Sequence, residues 1–445
     1  MKNLSEKENA KRLPISSLAR TTLSAGLLLR LGVNTSQSLV ADLFSVKKPD
    51  LKSALISKKN VIATVDTLKN LRGAAMKFGQ LLSLDETVIL SPDLAAIFAQ
   101  LQSSGYSMTP SQLKKVLNHN WGDDWLKHFK YFDVRPFAAA SIGQVHKATL
   151  KSGEVVAIKV QFPGVKQSID SDLATLKFIM KTSGMLPAKF PLDYYIAKCG
   201  DLLKRETNYE LEAENINLFS GFLNGSKVIH VPKVYNKLST DQTLTMSFLE
   251  GRELSNIMNF DQSVRDEISL HLIQLLFNEI FNFRMVQTDP NLANFLLSEG
   301  GKSLCILDFG ACSQVSEETD RLYKDLLTGA LSLDVNTIKR VLKENNFIPE
   351  EISHAGTKFL DNIISVAIHE LSKDEIFDFQ KSKVFQLILE ENFNLFFDLI
   401  PSSSLGPDFI FIQRKIFGLI LFFRAIGTKL PLLKILKQQS KLLKC

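Results

Sequence analysis

Apolar residues recur at helical spacing along most of this chain, and the period changes to that of strands in a central stretch. From Leu51 to Gln102 the spacing predicts helices near Lys59–Leu71, Gly73–Leu82 and Pro92–Leu101. Met108–Phe129 predicts a further helical pair, opened at Thr109-Pro110-Ser111. Phe137–Leu150 and Glu154–Gln161 meet at Lys151-Ser152-Gly153, which reads as strand, tight turn, strand. Helices are expected at Val165–Met180 and, as one longer piece, at Leu192–Phe219. Short strands are expected at Val228–Val234 and Leu244–Leu249, followed by a strongly apolar helix over Asp261–Phe283. After a short apolar strand near Leu304 the chain reads as mostly helical, through Glu317–Leu331, Asp334–Asn345, Ala355–Leu371, Phe385–Leu399 and Phe409–Ile426. Phe and Leu crowd the last two. Core packing is their expected role, and a membrane-facing or partner-facing surface is the alternative.

At 445 residues the chain exceeds the usual size of one domain, so two lobes or a core with large extensions are expected. Its 45% apolar and 22% charged residues describe a globular protein. The net charge of +6 is spread out, without a Lys/Arg block interleaved with aromatics, which argues against nucleic acid as a partner. It is compatible with an anionic membrane surface. Cys199, Cys305, Cys312 and Cys445 show no ligand spacing, and scattered thiols suggest a reducing interior with neither zinc nor a disulfide framework. Near the start, the apolar run Leu23–Leu29 is far shorter than the roughly 20 residues of a membrane-spanning helix. Flanked by Arg20 and Arg30, Ser16–Val33 suits an interfacial amphipathic segment or a helix docked on the protein's own core. Lys2, Lys7, Lys11, Arg12 and Arg20 suit a matrix-targeting presequence, and Glu6 and Glu8 oppose one.

The candidate chemistry concentrates in Gln287–Phe295, QTDPNLANF, and Leu304–Gly310, LCILDFG. Asp289 suits accepting or orienting the proton of an attacking nucleophile. Asn294 offers a neutral oxygen, and Asp308 a charged one, to Mg²⁺ bridging the β- and γ-phosphates of ATP. Hard oxygen donors suit that ion. A DFG triplet alone recurs by chance, whereas Asp-x4-Asn followed fourteen residues later by LDFG is a phosphoryl-transfer pattern. Upstream, VAIK puts Lys159 on a strand, from which a lysine can reach the α- and β-phosphates and pair with a helix glutamate. A buried lysine needs such a counter-charge. Glu206, Glu210 and Glu212 are the candidates: on a continuous helix Glu206 and Glu210 share a face, and Glu212 is turned away from Glu206.

Where a kinase has GxGxxG before VAIK, this chain has Ala138-Ala139-Ala140-Ser141, with Gly143 alone remaining. Methyl groups restrict the loop's backbone. Nucleotide can still bind, while the approach of a large protein acceptor is hindered. In a kinase layout, backbone groups of about Met246–Phe248 form the linker that meets adenine. In LRGAAMKFGQLLSLDE, Gly73, Ala74 and Ala75 make a helix thin enough for close packing, and Lys77 and Gln80 share a face. Gly79 beside them costs about 1 kcal/mol in a helix interior.

Lys77-Phe78-Gly79-Gln80, the AAAS loop, VAIK, ETNYELEAE, QTDPNLANF and LDFGA occur in that order over Leu71–Ala311. In this the chain resembles the UbiB/ADCK family of atypical kinases (AarF-type). QTDPN, KFGQLLS and SIGQVHKA look like its ubiquinone-biosynthesis branch, which includes mitochondrial members. The resemblance implies an α+β, protein-kinase-like two-lobed fold. It would divide into an N-terminal segment at 1–50, membrane-associated or targeting, and a helical extension carrying KxGQ at 51–130. A kinase-like N-lobe at 131–250 and a mostly helical C-lobe at 251–445 would follow. It also implies that Lys159 contacts phosphate with Glu212 as its helix partner. Asp289 takes the catalytic-loop role, and Asn294 and Asp308 bind Mg²⁺. Lys77 and Gln80 belong to the extension that folds over the place where a protein substrate would dock. One departure is visible: the family's Glu-x-Asp reads Glu206-Thr207-Asn208, which removes a carboxylate beside that extension.

The implied activity is that of a Mg²⁺-dependent ATPase or small-molecule kinase supporting ubiquinone biosynthesis. The implied partners are a membrane lipid surface and the enzymes or lipid intermediates of that synthesis; a homodimer is left open. Expected locations are the matrix face of the mitochondrial inner membrane in a eukaryote, or the cytoplasmic face of the cell membrane in a bacterium. Two other classes remain as alternatives. A protein kinase would need an open acceptor groove. A non-catalytic, nucleotide-gated lipid-binding scaffold would work without Asp289.

Overall fold

Alternation with period two decides which face of the central sheet is oily and which carries chemistry. The structure, a computed structural model, describes residues 68, 71–84, 107–182, 186, 190–289, 291–349, 351–373, 375–388 and 407–442. The expectations for 1–50, for Pro92–Leu101, for most of Lys59–Leu71 and for the bulk of Phe385–Leu399 lie outside the described residues. The chain divides into two compact units, residues 1–217 with 232–248 and residues 218–231 with 249–445.

In the first unit, α1 (Arg72–Leu84) carries the small-residue stretch, and α2 (Pro110–Trp121) opens on a capping box. The Thr109 hydroxyl accepts the Gln112 N–H, the Gln112 side chain accepts the Thr109 N–H, and Pro110 fills the first turn. The second helix expected within Met108–Phe129 does not form. Gly122, at φ 81°, ends α2, a 3-10 turn covers Trp125–His128, and Phe129 begins strand β1 (Phe129–Phe132). β2 (Ala138–Ala139), β3 (Gly143–Leu150) and β4 (Val155–Gln161) follow, with β3 and β4 joined by a turn at Gly153, φ 95°. On β4, Val156, Ile158 and Val160 face a core shared with Leu113 and Leu117 of α2 and with Trp125 and Phe129. Each such side chain contributes roughly 1.5–3 kcal/mol. Ala157, Lys159 and Gln161 therefore point to the opposite face.

Next come α3 (Val165–Thr182), α4 (Leu192–Glu206) and α5 (Tyr209–Phe222). The single helix expected over Leu192–Phe219 is thus two. Asn208 breaks it, because its side-chain oxygen accepts the Leu211 N–H at 3.1 Å and caps α5 in place of a helical carbonyl. Glu206 and Glu210 consequently lie on different helices and share no face. β5 (Ile229–His230) is shorter than the predicted Val228–Val234, since Pro232 has no N–H to continue a ladder; only a bridge from Val234 to Met246 remains. β6 (Thr243–Ser247) completes an antiparallel sheet of order β1-β3-β4-β6, with β2 paired on β3.

The second unit takes the end of α5 from Leu218 and β5, and adds β7 (Arg252–Glu253), α6 (Gln262–Phe277), β8 (Met285–Gln287), β9 (Phe295–Leu297), β10 (Leu304–Ile306) and β11 (Cys312–Gln314). Their pairings are β5-β10-β9-β7 and β8-β11. The predicted helix Asp261–Phe283 ends early: after Phe277 the backbone widens into a π turn over Asn278–Asn282. α7 (Glu317–Ser332), α8 (Val335–Glu344) and α9 (His354–Lys373) follow; a short pair of β12 (Phe377–Asp378) with β13 (Lys429–Leu430) flanks α10 (Pro407–Ile426), and α11 (Leu432–Leu442) ends the described chain. The Phe-rich α10 is core: Phe409, Ile412, Phe422, Phe423 and Ile426 are buried. No described helix is long and apolar enough to cross a membrane.

A buried polar chain crosses the first unit's sheet. The Asp133 carbonyl can only accept, so His146 carries its proton on Nδ1, 2.8 Å away, and its Nε2 accepts from the Gln144 amide at 2.7 Å. The Gln144 oxygen accepts the Met108 N–H at 2.7 Å. Burial lowers the His146 pKa to about 4. The unfolded chain then binds one more proton than the folded one between pH 6.5 and about 4. Stability owed to neutral His146 is complete above pH 6.5 and lost as pH falls through that window, by roughly 3 kcal/mol. Urea unfolding of wild type and His146→Gln across this range is expected to show the steeper acid loss in wild type.

Candidate functional site

One set of candidate residues lies in the first unit. Lys159 Nζ meets Glu212 Oε1 at 2.5 Å, with both residues at least 95% buried. The break at Thr207-Asn208 makes this possible, because it starts α5 afresh and puts Glu212 in its first turn. Glu206 is used elsewhere: it pairs with buried Lys77 of α1 and accepts the Ser141 hydroxyl at 2.8 Å. Glu210 is exposed. Gln80 lies on α1, and its side chain is outside the described residues.

The Ala-rich loop is held from both sides. Ala138 and Ala139 pair with Val145 and Gln144, and the Ala140 N–H reaches the Gly143 carbonyl at 3.0 Å. Gly143 itself is committed to strand packing, since a Cβ there would lie 2.3 Å from the Val160 carbonyl oxygen. Above the loop, a Cβ on Gly73 would come within 3.2 Å of Ile142 and 3.5 Å of the Ser141 carbonyl, so α1 rests directly on the turn. Cys199 of α4 donates to the Ala74 carbonyl, and burial raises its thiol pKa to about 12, which removes it as a nucleophile. Met246 is buried on β6. The Phe248 N–H is taken by the Val155 carbonyl at 3.0 Å, and its ring lies edge-on to Phe137 with the Lys147 ammonium 4.1 Å over its centre.

A second set lies in the other unit, where Asp289, Asn294 and Asp308 are all half-buried. Asp289 is oriented through both oxygens, accepting the Asn291 N–H at 3.2 Å and the Asn294 side-chain N–H at 2.9 Å. That bond uses the amide nitrogen of Asn294 and leaves its carbonyl oxygen for a cation. The Leu307 N–H bonds the Asn294 backbone carbonyl at 2.8 Å, which ties the DFG strand to the loop. Asp308 Oδ1 accepts the Gly310 N–H at 3.0 Å. Phe309 is fully buried against Phe219 of α5, with ring centroids 4.8 Å apart. One neutral and one anionic oxygen donor, on adjoining segments, fit a hard divalent cation such as Mg²⁺.

Three residues that the sequence reading missed support this second set. The side-chain amide of buried Gln287 donates to the backbone carbonyls of Asp289 at 3.1 Å and Asp308 at 3.3 Å. The backbone carbonyl of Gln287 accepts from Lys415 of α10 at 2.8 Å, and its backbone N–H donates to Glu279 in the π turn at 3.3 Å. Lys415 and Glu279 pair at 2.5 Å with almost no exposure. Burial pushes the Glu279 carboxyl up, opposed by Lys415. The available signal was charge inside an apolar run: one glutamate in FNEIFNF and an Arg-Lys pair in FIQRKIF.

A family model described as the ABC1 atypical kinase-like domain matches residues 100–342. The chain belongs to that family. Among its curated relatives, "Atypical kinase COQ8, mitochondrial" of Saccharomyces cerevisiae is 36% identical over 322 residues, 72% of this chain and 64% of the relative. "Atypical kinase COQ8B, mitochondrial" of Danio rerio is 32% identical over 389 residues, 86% of this chain and 62% of the relative. The chain therefore spans less than two thirds of these relatives' length. In fold it is similar to the Rv3197–erythromycin complex of Mycobacterium tuberculosis, with a TM-score of 0.60 at 22% identity, covering 87% of this chain and 97% of that one. These findings establish an α+β kinase-like member of the ABC1 family.

Removing one partner of a fully buried pair leaves an uncompensated charge, at a cost of about 3–5 kcal/mol. Lys415→Met is therefore expected to lower the second unit's stability by that amount in chemical denaturation. Adding Glu279→Leu to it recovers only part, because the Gln287 N–H stays unsatisfied.

Proposed function

We propose that this ABC1-family chain is a Mg²⁺-dependent ATPase or small-molecule kinase that supports ubiquinone biosynthesis at a membrane. The observation that carries the reading is the buried Lys159–Glu212 pair, which holds an ammonium on the chemical face of β4 as a fixed cation for the α- and β-phosphates of ATP. Asn294 and Asp308 would hold Mg²⁺, which when bound would supply positive charge against the phosphates of ATP. Asp289, oriented by Asn291 and Asn294, accepts or directs the proton of the attacking oxygen. Met246 and Phe248 border the adenine. The Ala-rich loop covers the phosphates with less backbone freedom than a glycine loop.

The contact of α1 with Ser141-Ile142, and the Lys77–Glu206–Ser141 cluster, favour a small acceptor or water over a protein acceptor. Lys77 and Gln80 lie on the helix that makes that contact. The ubiquinone link and a mitochondrial location follow the COQ8 relatives and the QTDPN form of the catalytic loop. The membrane partner is the anionic surface that a basic, slightly apolar chain suits.

Phosphate release from ATP by the purified chain, with and without anionic liposomes, tests this. Mg²⁺-dependent turnover that rises with liposomes and falls about 100-fold or more in Asp308→Asn is the expected result. Nucleotide binding without turnover under any condition overturns it in favour of a scaffold. Transfer to a protein, abolished by Asp308→Asn, overturns it in favour of a protein kinase.

A further inference from the structure

The break between α4 and α5 does more than start a helix. In a continuous helix the Thr207 carbonyl would accept the Leu211 N–H. Here Asn208 takes that N–H at 3.1 Å, so the Thr207 carbonyl is released. It is recovered by Gln161, whose side-chain amide donates to it at 3.0 Å and, with its other hydrogen, to the Asp241 carbonyl at 3.0 Å. Gln161 is 3% exposed and Thr207 1%, so the bond between them is shielded from water.

Position along the chain gives this contact its meaning. Gln161 is two residues from Lys159 on β4, so both side chains leave the same face of the sheet. Lys159 holds Glu212 in the first turn of α5, and Gln161 holds the carbonyl immediately after Glu206, the last residue of α4. Glu206 in turn holds Lys77 of α1 and Ser141 of the Ala-rich loop. Two Lys–Glu pairs, one from the KxGQ helix and one from the nucleotide strand, are thus separated by one short joint, and a single strand grips that joint twice.

We propose that Gln161 and Asn208 are positioning residues that form this joint and couple the Lys77–Glu206 pair to the Lys159–Glu212 pair, so that the seating of α1 is transmitted to the lysine that contacts phosphate. The proposal rests on the reading of Lys159 as a nucleotide-contacting residue. The Asn208 amide oxygen caps α5 as a carboxylate would, without adding charge beside Glu206.

A double-mutant cycle on the full chain tests it, with MgADP affinity as the readout and thermal unfolding as the check on folding. Lys77→Ala is expected to change the MgADP Kd by about threefold or more in the wild-type background and in Asn208→Asp, which keeps the cap. In Gln161→Met and in Asn208→Ala the same substitution is expected to change it hardly at all. An equal Lys77→Ala effect in all backgrounds, or none in wild type, overturns the coupling. Hydrogen exchange at the Leu211 and Glu212 amides, measured without nucleotide, decides the joint separately. Faster exchange there in Gln161→Met, with the rest of the first unit unchanged, is expected, and unchanged exchange overturns it. If wild type binds no MgADP while the exchange result holds, the nucleotide reading fails and the joint stands.

Discussion

A lysine ammonium cannot be buried on the face of a β-sheet unless a carboxylate is brought to it, and much of the first unit is arranged around that demand. Leaving Lys159 unpaired would cost several kcal/mol, more than any single core side chain on β4 returns. The carboxylate comes from Glu212, and Glu212 is available because Asn208 interrupts the preceding helix and begins a new one. The interruption frees a backbone carbonyl, and a free buried carbonyl is itself a cost that Gln161 removes. Pairing the charge, breaking the helix and satisfying the carbonyl are therefore one problem with one local solution.

The second unit meets a comparable demand in a different way. The chain must run from α6 into an irregular loop and present Asp289 and Asn294 in fixed orientations, although a loop has no ladder of its own to hold it. The π turn after Phe277 carries Glu279 to full burial. There it binds Lys415, and both of them engage the backbone of Gln287. The side chain of Gln287 then reaches the carbonyls of Asp289 and Asp308. Rigidity at the loop is supplied by a buried ion pair one layer below it, an arrangement in which removing one partner is far more harmful than removing both.

Much of this was legible beforehand, for identifiable reasons. The period-two run EVVAIKVQ and the turn at Gly153 specify a hairpin locally, and the spacing of Asp289, Asn294 and Asp308 reflects chemistry that admits few alternatives. What could not be read were features set by tertiary competition. Leu192–Phe219 keeps helical periodicity across Thr207-Asn208, so the pattern showed one helix. The break shows only in the rivalry between the Asn208 side chain and the backbone for the Leu211 N–H. That break also invalidated the argument from a shared face for Glu206 and Glu210, while the choice of Glu212 rested on resemblance and not on geometry. Gln161 and Gln287 are uncharged residues in strands, with nothing in the sequence to distinguish a positioning amide from an ordinary buried one.

The Ala-rich loop belongs to the same logic. Gly143, the one glycine left from a phosphate-cradling pattern, is required because β3 and β4 approach too closely for a Cβ, so it is not free to serve as a flexible cradle. The loop before it is pinned by β2 pairing beneath and by Gly73 and Glu206 above. Glycines introduced at 138–140 would loosen a segment whose anchors all remain, and Gly is disfavoured in the strand pairs that Ala138 and Ala139 now make. The alanines thus suit a loop that is clamped between a sheet edge and a helix, and the Gly-Ala-Ala run of α1 is what allows the helix to come close enough to clamp it.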